Sequence, residues 1–271
     1  MTTKFPRERW VLIAVLLAVV VVLAAAVLVA IFADRSEQSA PAPPAADGSS
    51  SPAGPGAPTG TASPSAAPAG AEFRYEPLWP FHSLAEAASW QQEAGPSGHQ
   101  PWHLDIGATA QSFTQSYLGF SGVDKVVKVS QQGEQAWASV GFSNPNGVAA
   151  VAAVLHLVRM GHGDTAPWEV VGSEDTTLTL TAPAYATAVH PPVTVGGVLT
   201  GVDESLRIRI LRADRERPVG EAGPIAAGGT GSPWSATVPL TDACPGTLTI
   251  VVATGGHVAD IERFAVTGVH C

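Results

Sequence analysis

The stretch Ser205–Leu211, SLRIRIL, alternates between polar and apolar side chains from Ser205 to Ile210. A period of two is typical of a β-strand with one buried face, so the leucine and isoleucine side chains are expected on the core side. The same alternation leaves Arg207 and Arg209 on the opposite face, where their guanidinium groups are available to solvent or to a partner. The stretch therefore predicts a β-rich C-terminal half that carries a basic surface.

Six further short runs of this kind lie between residue 177 and the C-terminus. Pro, Gly and Asp residues bound them, and they read TLTLT, VTVGGVL, PIAAG, WSATVPL, TLTIVVA and IERFAVT. Seven short runs separated by turn residues are typical of a β-sandwich. We therefore expect an all-β immunoglobulin-like sandwich over residues 177–271.

The order of these runs resembles the immunoglobulin-like domain of bacterial spore-germination and related envelope proteins. The resemblance rests on Pro183, Val189 and Pro192, on the VTVGG and RIRIL runs, on SPWSATVPL with its Trp, and on the late run TLTIVVA. It covers about residues 177–269. It implies an accessory module that faces the cell envelope, and it implies no catalytic residue.

Residues 73–173 predict a separate α+β domain that begins with two helices. Ser83 and Glu86 form a capping box at the start of the first helix. The second helix is expected to begin after Asp105, because an Asp carboxylate accepts hydrogen bonds from the free N–H groups of a first turn. Gly119 is placed to end it.

After these helices the period changes to two, which predicts four antiparallel strands at 123–129, 136–143, 148–159 and 168–171. The Asn-Pro-Asn-Gly sequence at 144–147 is a strong hairpin signal. The order of two helices and a meander resembles cystatin-like and nuclear-transport-factor-like folds. Such folds often enclose a pocket.

The N-terminal part predicts a membrane anchor followed by a stalk. Val11–Ala33 is an uninterrupted apolar run of 23 residues, and a helix of that length, about 34 Å, spans a bilayer core. Basic residues precede the run, which places the N-terminus, 1–10, in the cytoplasm. A cleaved signal peptide is the alternative, although Ile31 stands where a small residue is wanted. Residues 34–72, rich in Pro, Ala, Gly and Ser, predict a disordered stalk.

The sequence contains two cysteines, Cys244 and Cys271. Since the predicted topology places both outside the membrane, where disulfides persist, we expect them to form a disulfide bond. Two free thiols, or one thiol that awaits a partner protein, are the alternatives.

The segment 98–105, GHQPWHLD, raises the question of a metal site, because His99 and His103 have the i, i+4 spacing of ligands on one helix face. Pro101 lies between them in the approach to the helix, so the two rings need not share a face. Asp105 already has a role as a helix cap. A structural role is therefore favoured, the metal site is the weaker alternative, and no cofactor is expected.

Charge and motifs narrow the function classes. The formal net charge is -9, which argues against nucleic-acid binding, since that draws on clustered positive charge. The sequence has no nucleophile elbow, phosphate-binding loop, zinc-protease motif or dinucleotide-binding motif, so we expect no catalytic residues and no enzyme.

We therefore expect a membrane-anchored, extracytoplasmic binding or scaffolding protein of the bacterial cell envelope. Its binding surface would include Arg207, Arg209 and Arg212, and its partner would be an anionic envelope polymer or another envelope protein. A solvated face, paired with acids such as Glu216 and Glu221, is the alternative for these arginines. The competing function is a cell-wall-modifying enzyme that uses a pocket in the α+β domain.

Overall fold

Two antiparallel four-stranded sheets dominate the structure, a computed structural model that describes residues 73–93 and 98–271. Sheet 1 is a meander in the order β1-β2-β3-β4, with the strands Lys125–Gln132, Gln135–Ser143, Ala149–Arg159 and Trp168–Ser173. Sheet 2 has the order β6-β5-β7-β8, with β5 Val193–Leu211, β6 Gly220–Val238, β7 Thr247–Thr254 and β8 Arg263–His270.

Short helical elements precede sheet 1. Helix α1 is Leu84–Glu93, a 3-10 turn covers Pro101–Leu104, and helix α2, Ile106–Ser112, continues into a π-helical turn at Phe113–Tyr117. The predicted cap is confirmed, because the Asp105 Oδ1 atom accepts a hydrogen bond from the Ala108 N–H at 2.7 Å. Gly119, at a φ of 72°, follows the π-helical turn.

Sheet 1 packs its inner face on α2 and the π-helical turn. Along β2 the side chains of Ala136, Ala138 and Val140 are fully buried, as is Phe113 opposite them. Small residues are needed in β2 because its backbone approaches the neighbouring strand closely. At Gly141, where the register with β3 shifts, an added Cβ would overlap the carbonyl oxygen of Ala150.

Sheet 2 corrects the predicted sandwich of seven strands. Four of the predicted runs merge pairwise into β5 and β6, each 19 residues long. The TLTLT run joins β5 through the isolated bridge of Leu178 to Leu199 and through backbone hydrogen bonds such as that of Thr179 N–H to the Val198 carbonyl, at 2.9 Å. The residues around Gly201, predicted as a turn, lie within β5. There the register of β5 with β6 shifts between Leu199 and Gly201 and again between Gly201 and Glu204. Glycine within a strand is often found at such bulges, which bend the strand without ending it.

Strands β7 and β8 of sheet 2, the second of which is an edge strand, are buried on both faces. Every residue of β7 except the first is buried, and so is every residue of β8 except the two ends. Ile250 and Val252 face the core of sheet 2 itself, whereas Val251 and Ala253 join the core of sheet 1. We call this contact between β7, β8 and the first half of the chain the seam.

The seam is held by aromatic and polar contacts as well as by aliphatic packing. The ring of Phe120 meets Phe264 of β8 edge to face, with centroids 5.2 Å apart. Ser173 at the end of β4 donates its hydroxyl proton to the Val266 carbonyl at 3.3 Å and accepts from the Val266 N–H at 2.9 Å. The predicted regions 73–173 and 177–271 therefore share one hydrophobic core, and the described residues belong to one compact unit.

The expected membrane protein is also corrected. Among residues 73–93 and 98–271, no helix is both long and apolar enough to cross a membrane. The predicted span 11–33, the cytoplasmic N-terminus 1–10 and the stalk 34–72 lie outside the described residues. The fold class of a transmembrane helix joined to an α+β domain and a sandwich is therefore replaced by short helices and two antiparallel sheets, and the single-pass location is not retained.

A disulfide bond joins Cys244 to Cys271, with Cα atoms 5.2 Å apart. Next to it the backbones of Gly246 and Cys271 exchange two hydrogen bonds, of 2.9 and 3.1 Å. The bond thus ties the C-terminal residue to the loop that precedes β7.

Replacing both cysteines, as Cys244→Ser with Cys271→Ser, should lower the free energy of unfolding. The bond closes a loop across a sequence separation of 27 residues, and the loop-entropy relation gives about 3 to 4 kcal/mol for a loop of that size. Urea unfolding of the variant and of the parent protein, each with and without reductant, measures the loss. Reductant should destabilise only the parent; equal stability of parent and variant without reductant would contradict the expectation.

Candidate functional site

A cavity of about 450 Å³ opens at the seam, where the loop after the π-helical turn meets sheet 2. We call it the arginine cavity. Its charged lining consists of Arg207, Arg209, Glu221 and Asp260, and its apolar lining includes Phe120 and Ile261.

Arg209 is fixed in place by the first half of the chain. Its Nη2 atom donates to the Leu118 carbonyl at 2.6 Å, and its guanidinium group lies 5.0 Å from the centre of the Phe120 ring. Burial lowers the pKa of Arg209, against the attraction of Glu221, its cross-strand neighbour. Burial of this cation is tolerable because a carbonyl, an aromatic face and a nearby carboxylate replace part of its hydration.

Arg207 lies at the more exposed side of the cavity. Its Nη2 atom donates to the Asp260 carbonyl oxygen at 2.8 Å and to the Asp260 carboxylate at 3.2 Å. A guanidinium group has five N–H donors. Within the described part of the chain, Nε and Nη1 of both Arg207 and Arg209 form no hydrogen bond.

Arg212, the third predicted binding residue, lies apart from this cavity. It pairs with Asp214 through Nε and Nη2, both at 2.9 Å, and donates from Nη1 to the Ala243 carbonyl at 3.0 Å. These contacts join the turn after β5 to the loop that carries Cys244. The structure thus brings together two of the three predicted arginines, and Arg212 holds two loops in contact.

Sequence reasoning missed Phe120 and Asp260, whereas Glu221 is one of the acids expected beside the arginines. Glu221 stands opposite Arg209 in the β5–β6 pairing, and Phe120 and Asp260 arrive from distant loops. The local sequence gives no sign that Phe120 and Asp260 approach the arginines, because both residues lie in loops far from β5 in the chain.

The two histidines of the metal hypothesis are separated by their environments. His99 is exposed, whereas His103 is buried, with its ring stacked on Trp102 at a centroid distance of 3.7 Å. Its Nε2 atom lies 3.1 Å from Gln100 Oε1, and burial lowers the pKa of His103 to about 4. In the described ranges no group of three or more His, Cys, Asp or Glu side chains could hold a metal ion.

His103 belongs instead to a buried cluster around Phe81 in which polar atoms lack partners. The Trp90 and His103 rings lie 4.9 Å apart, and each lies within 6.0 Å of the Phe81 ring. Glu169 Oε2 accepts from the Phe81 N–H at 3.0 Å. Trp90 Nε1, His103 Nδ1 and Glu169 Oε1 are buried without a hydrogen bond from any described residue.

The proton positions in this cluster follow from its contacts. Burial raises the pKa of Glu169 well above its ordinary value, which favours the neutral acid in the folded protein. Because Oε2 accepts from the backbone, Oε1 is the atom free to carry the proton. Nε2 of neutral His103 donates to Gln100, which leaves Nδ1 as an acceptor. Within the described residues the cluster thus leaves two donors, Glu169 Oε1 and Trp90 Nε1, and one acceptor, His103 Nδ1, without a hydrogen bond.

Comparison of the chain with protein-family models, with curated proteins and with solved structures gives no match. The resemblance to immunoglobulin-like envelope domains therefore stays a prediction. The functional argument rests on the residues of the chain itself.

The variant Glu169→Gln should show a changed dependence of stability on pH. In the parent, the unfolded chain releases the Glu169 proton as pH rises above the ordinary value of 4.5, while the folded chain keeps it. Stability therefore falls with rising pH until the folded-state pKa is reached. Gln cannot ionise, so the stability of the variant relative to the parent should rise by about 1.4 kcal/mol per pH unit in that window.

Urea unfolding at a series of pH values, from mildly acidic to mildly alkaline, measures this difference. Protonation of His103 destabilises the fold as pH falls below 6.5, the opposite direction, and it is common to both proteins. Glu216→Gln, at an exposed turn position, is the matched control and should show no slope. A pH-independent difference for Glu169→Gln would mean that Glu169 is ionised in the folded protein.

Proposed function

We propose that this chain is a binding protein, not an enzyme, and that the arginine cavity holds an anionic group of its ligand. The observation that carries the proposal is the set of unused guanidinium donors of Arg207 and Arg209 at the wall of an open cavity. Arginine donors form paired, charge-assisted hydrogen bonds with carboxylate and phosphate oxygens.

The contacts of Arg209 support a prepared site. Its carbonyl and aromatic contacts hold the guanidinium group before a ligand arrives, which lowers the entropy lost on binding. Phe120 and Ile261 supply an apolar surface beside the charged wall. A ligand with an anionic group next to a short carbon framework fits this combination.

The charges of the cavity also limit the ligand. Asp260 and Glu221 balance the two arginines, and the chain carries a formal net charge of -9. Binding therefore depends on direct contact with single anionic groups and gains little from long-range attraction. An anionic polymer of the kind expected from the sequence would place one group at a time in the cavity.

A catalytic role finds less support at this site. The described lining of the arginine cavity contains no His, Ser, Cys or Lys, and its two carboxylates, Glu221 and Asp260, are the only side chains there of a type that acts as acid, base or nucleophile. Asp260 accepts a hydrogen bond from Arg207, and Glu221 stands opposite Arg209, so both carboxylates are placed to balance the arginines. The alternative of a cell-wall-modifying enzyme gains nothing from this cavity.

Arg207→Gln should weaken binding of fluorescently labelled poly-L-glutamate or polyphosphate by about tenfold, because charge-assisted hydrogen bonds contribute about 1.5 to 3 kcal/mol. Arg207 is half exposed, so the substitution should change stability little, by about 0 to 1 kcal/mol. Fluorescence anisotropy with the full chain at low and high salt measures the affinity. The affinity of the parent should fall as salt rises.

Arg209→Gln should also weaken binding, but it removes buried contacts and is expected to lower the thermal midpoint. Arg217→Gln, at an exposed position outside the cavity, is the matched control and should bind like the parent. Equal affinities for the parent, Arg207→Gln and Arg217→Gln would contradict the proposal, as would the absence of binding to either polymer.

A further inference from the structure

A second cavity of about 450 Å³ lies elsewhere at the seam, between the end of sheet 1 and strand β8. We call it the tyrosine cavity. Its lining includes Tyr75, His156, Asp175, Tyr185, Thr181 and Thr267, and it contains neither Arg nor Lys.

The contacts of His156 define its hydrogen-bonding role. The Oε1 atom of Gln135 accepts from the Tyr75 hydroxyl at 3.3 Å and lies 3.0 Å from His156 Nε2. Because an amide oxygen can only accept, Nε2 must carry the proton. Burial lowers the pKa of His156, so the ring is neutral and Nδ1 is an acceptor. No described residue donates a hydrogen bond to Nδ1.

Two further polar groups of the lining have unused capacity. The Tyr185 hydroxyl oxygen accepts from the Glu76 N–H at 2.7 Å, which leaves the hydroxyl proton free to be donated. Asp175 is exposed and contributes a carboxylate acceptor. Ser173, by contrast, uses its hydroxyl in both directions with Val266. The cavity thus offers two acceptors and a donor on a fixed frame.

Aromatic rings supply the remaining surface. The Tyr75 ring meets His156 edge to face at 5.7 Å, and Trp137, which is not part of the lining, stacks on His156 at 5.2 Å. Tyr185 is 39% exposed. Aromatic rings provide an apolar body beside a polar tip. This combination suits the C–H and O–H groups that alternate around a pyranose ring.

We propose that the tyrosine cavity binds a neutral sugar, with its hydroxyl groups donating to His156 Nδ1 and the Asp175 carboxylate and one oxygen accepting from the Tyr185 hydroxyl. An anionic ligand is disfavoured because the lining has no cation and does have a carboxylate. An ammonium group would pair with Asp175, but it has no acceptor and would leave the Tyr185 hydroxyl proton unpaired. The inference does not depend on the arginine cavity.

Two measurements on the full chain test the proposal. One is saturation-transfer NMR with glucose and with N-acetylglucosamine, and the other is binding to an array of immobilised neutral glycans. Ethanolamine is the amine probe. We expect at least one neutral sugar or glycan to bind the parent. Asp175→Asn and Tyr185→Phe should each weaken that binding by about tenfold, as expected when one partner of a polar contact is removed.

Tyr185→Phe keeps the ring and removes only the hydroxyl, and both positions are exposed, so neither variant should impair folding. Arg207→Gln is the control for the other cavity and should bind the sugar like the parent, which separates this test from that of the arginine cavity. Three results would overturn the proposal. They are binding of ethanolamine in place of sugars, an unchanged sugar affinity in both variants, and no binding to any neutral glycan.

Discussion

The burial of β7 and β8 on both faces is the constraint on which the rest of the structure depends. A sheet in which β7 is an inner strand and β8 an edge strand needs only one covered face, but Val251, Ala253, Phe264 and Val266 point away from the core of sheet 2. Full burial of a Val or Phe side chain contributes about 1.5 to 3 kcal/mol. The inner side of sheet 1, with Phe113 and its neighbours, supplies the cover.

The seam also explains where the cavities occur. The arginine cavity lies where Phe120 reaches sheet 2, and the tyrosine cavity lies where Ser173 meets β8. Both sites are therefore built from residues far apart in the sequence, and both depend on the integrity of the seam.

Local signals in the sequence predicted local structure well. The Asp105 cap needs only its own turn, and the alternation in SLRIRIL correctly placed Ile208 inside and Arg207 outside. The division into seven short strands failed because glycines such as Gly201 mark bends inside continuous strands as readily as they mark turns. Pattern alone cannot distinguish the two, since the difference lies in which distant strand is paired.

The candidate sites were predictable only in part, for the same reason. Alternation shows that Arg209 leaves the core of its own sheet, but it does not show that Leu118 and Phe120 lie over it. Glu169 was not recognised in the sequence as a candidate site residue. A single acid within the apolar run WEVVG, which is buried, indicates either a hydrogen-bonded buried carboxyl group or a functional site. The membrane prediction rested on residues 11–33 alone, and no described helix supports it.

The central claim is that the two halves of the described structure share one core and unfold as one unit. Native-state hydrogen exchange of the full chain, measured as denaturant rises, compares the amides of β2 with those of β7 most directly. If the seam joins the two halves, the amides of β2 and those of β7 should converge on one free energy of opening. Phe264→Ala should then lower that free energy equally for the two strands. Separate opening energies for the two strands, with β2 unaffected by the substitution, would show that the halves are independent domains.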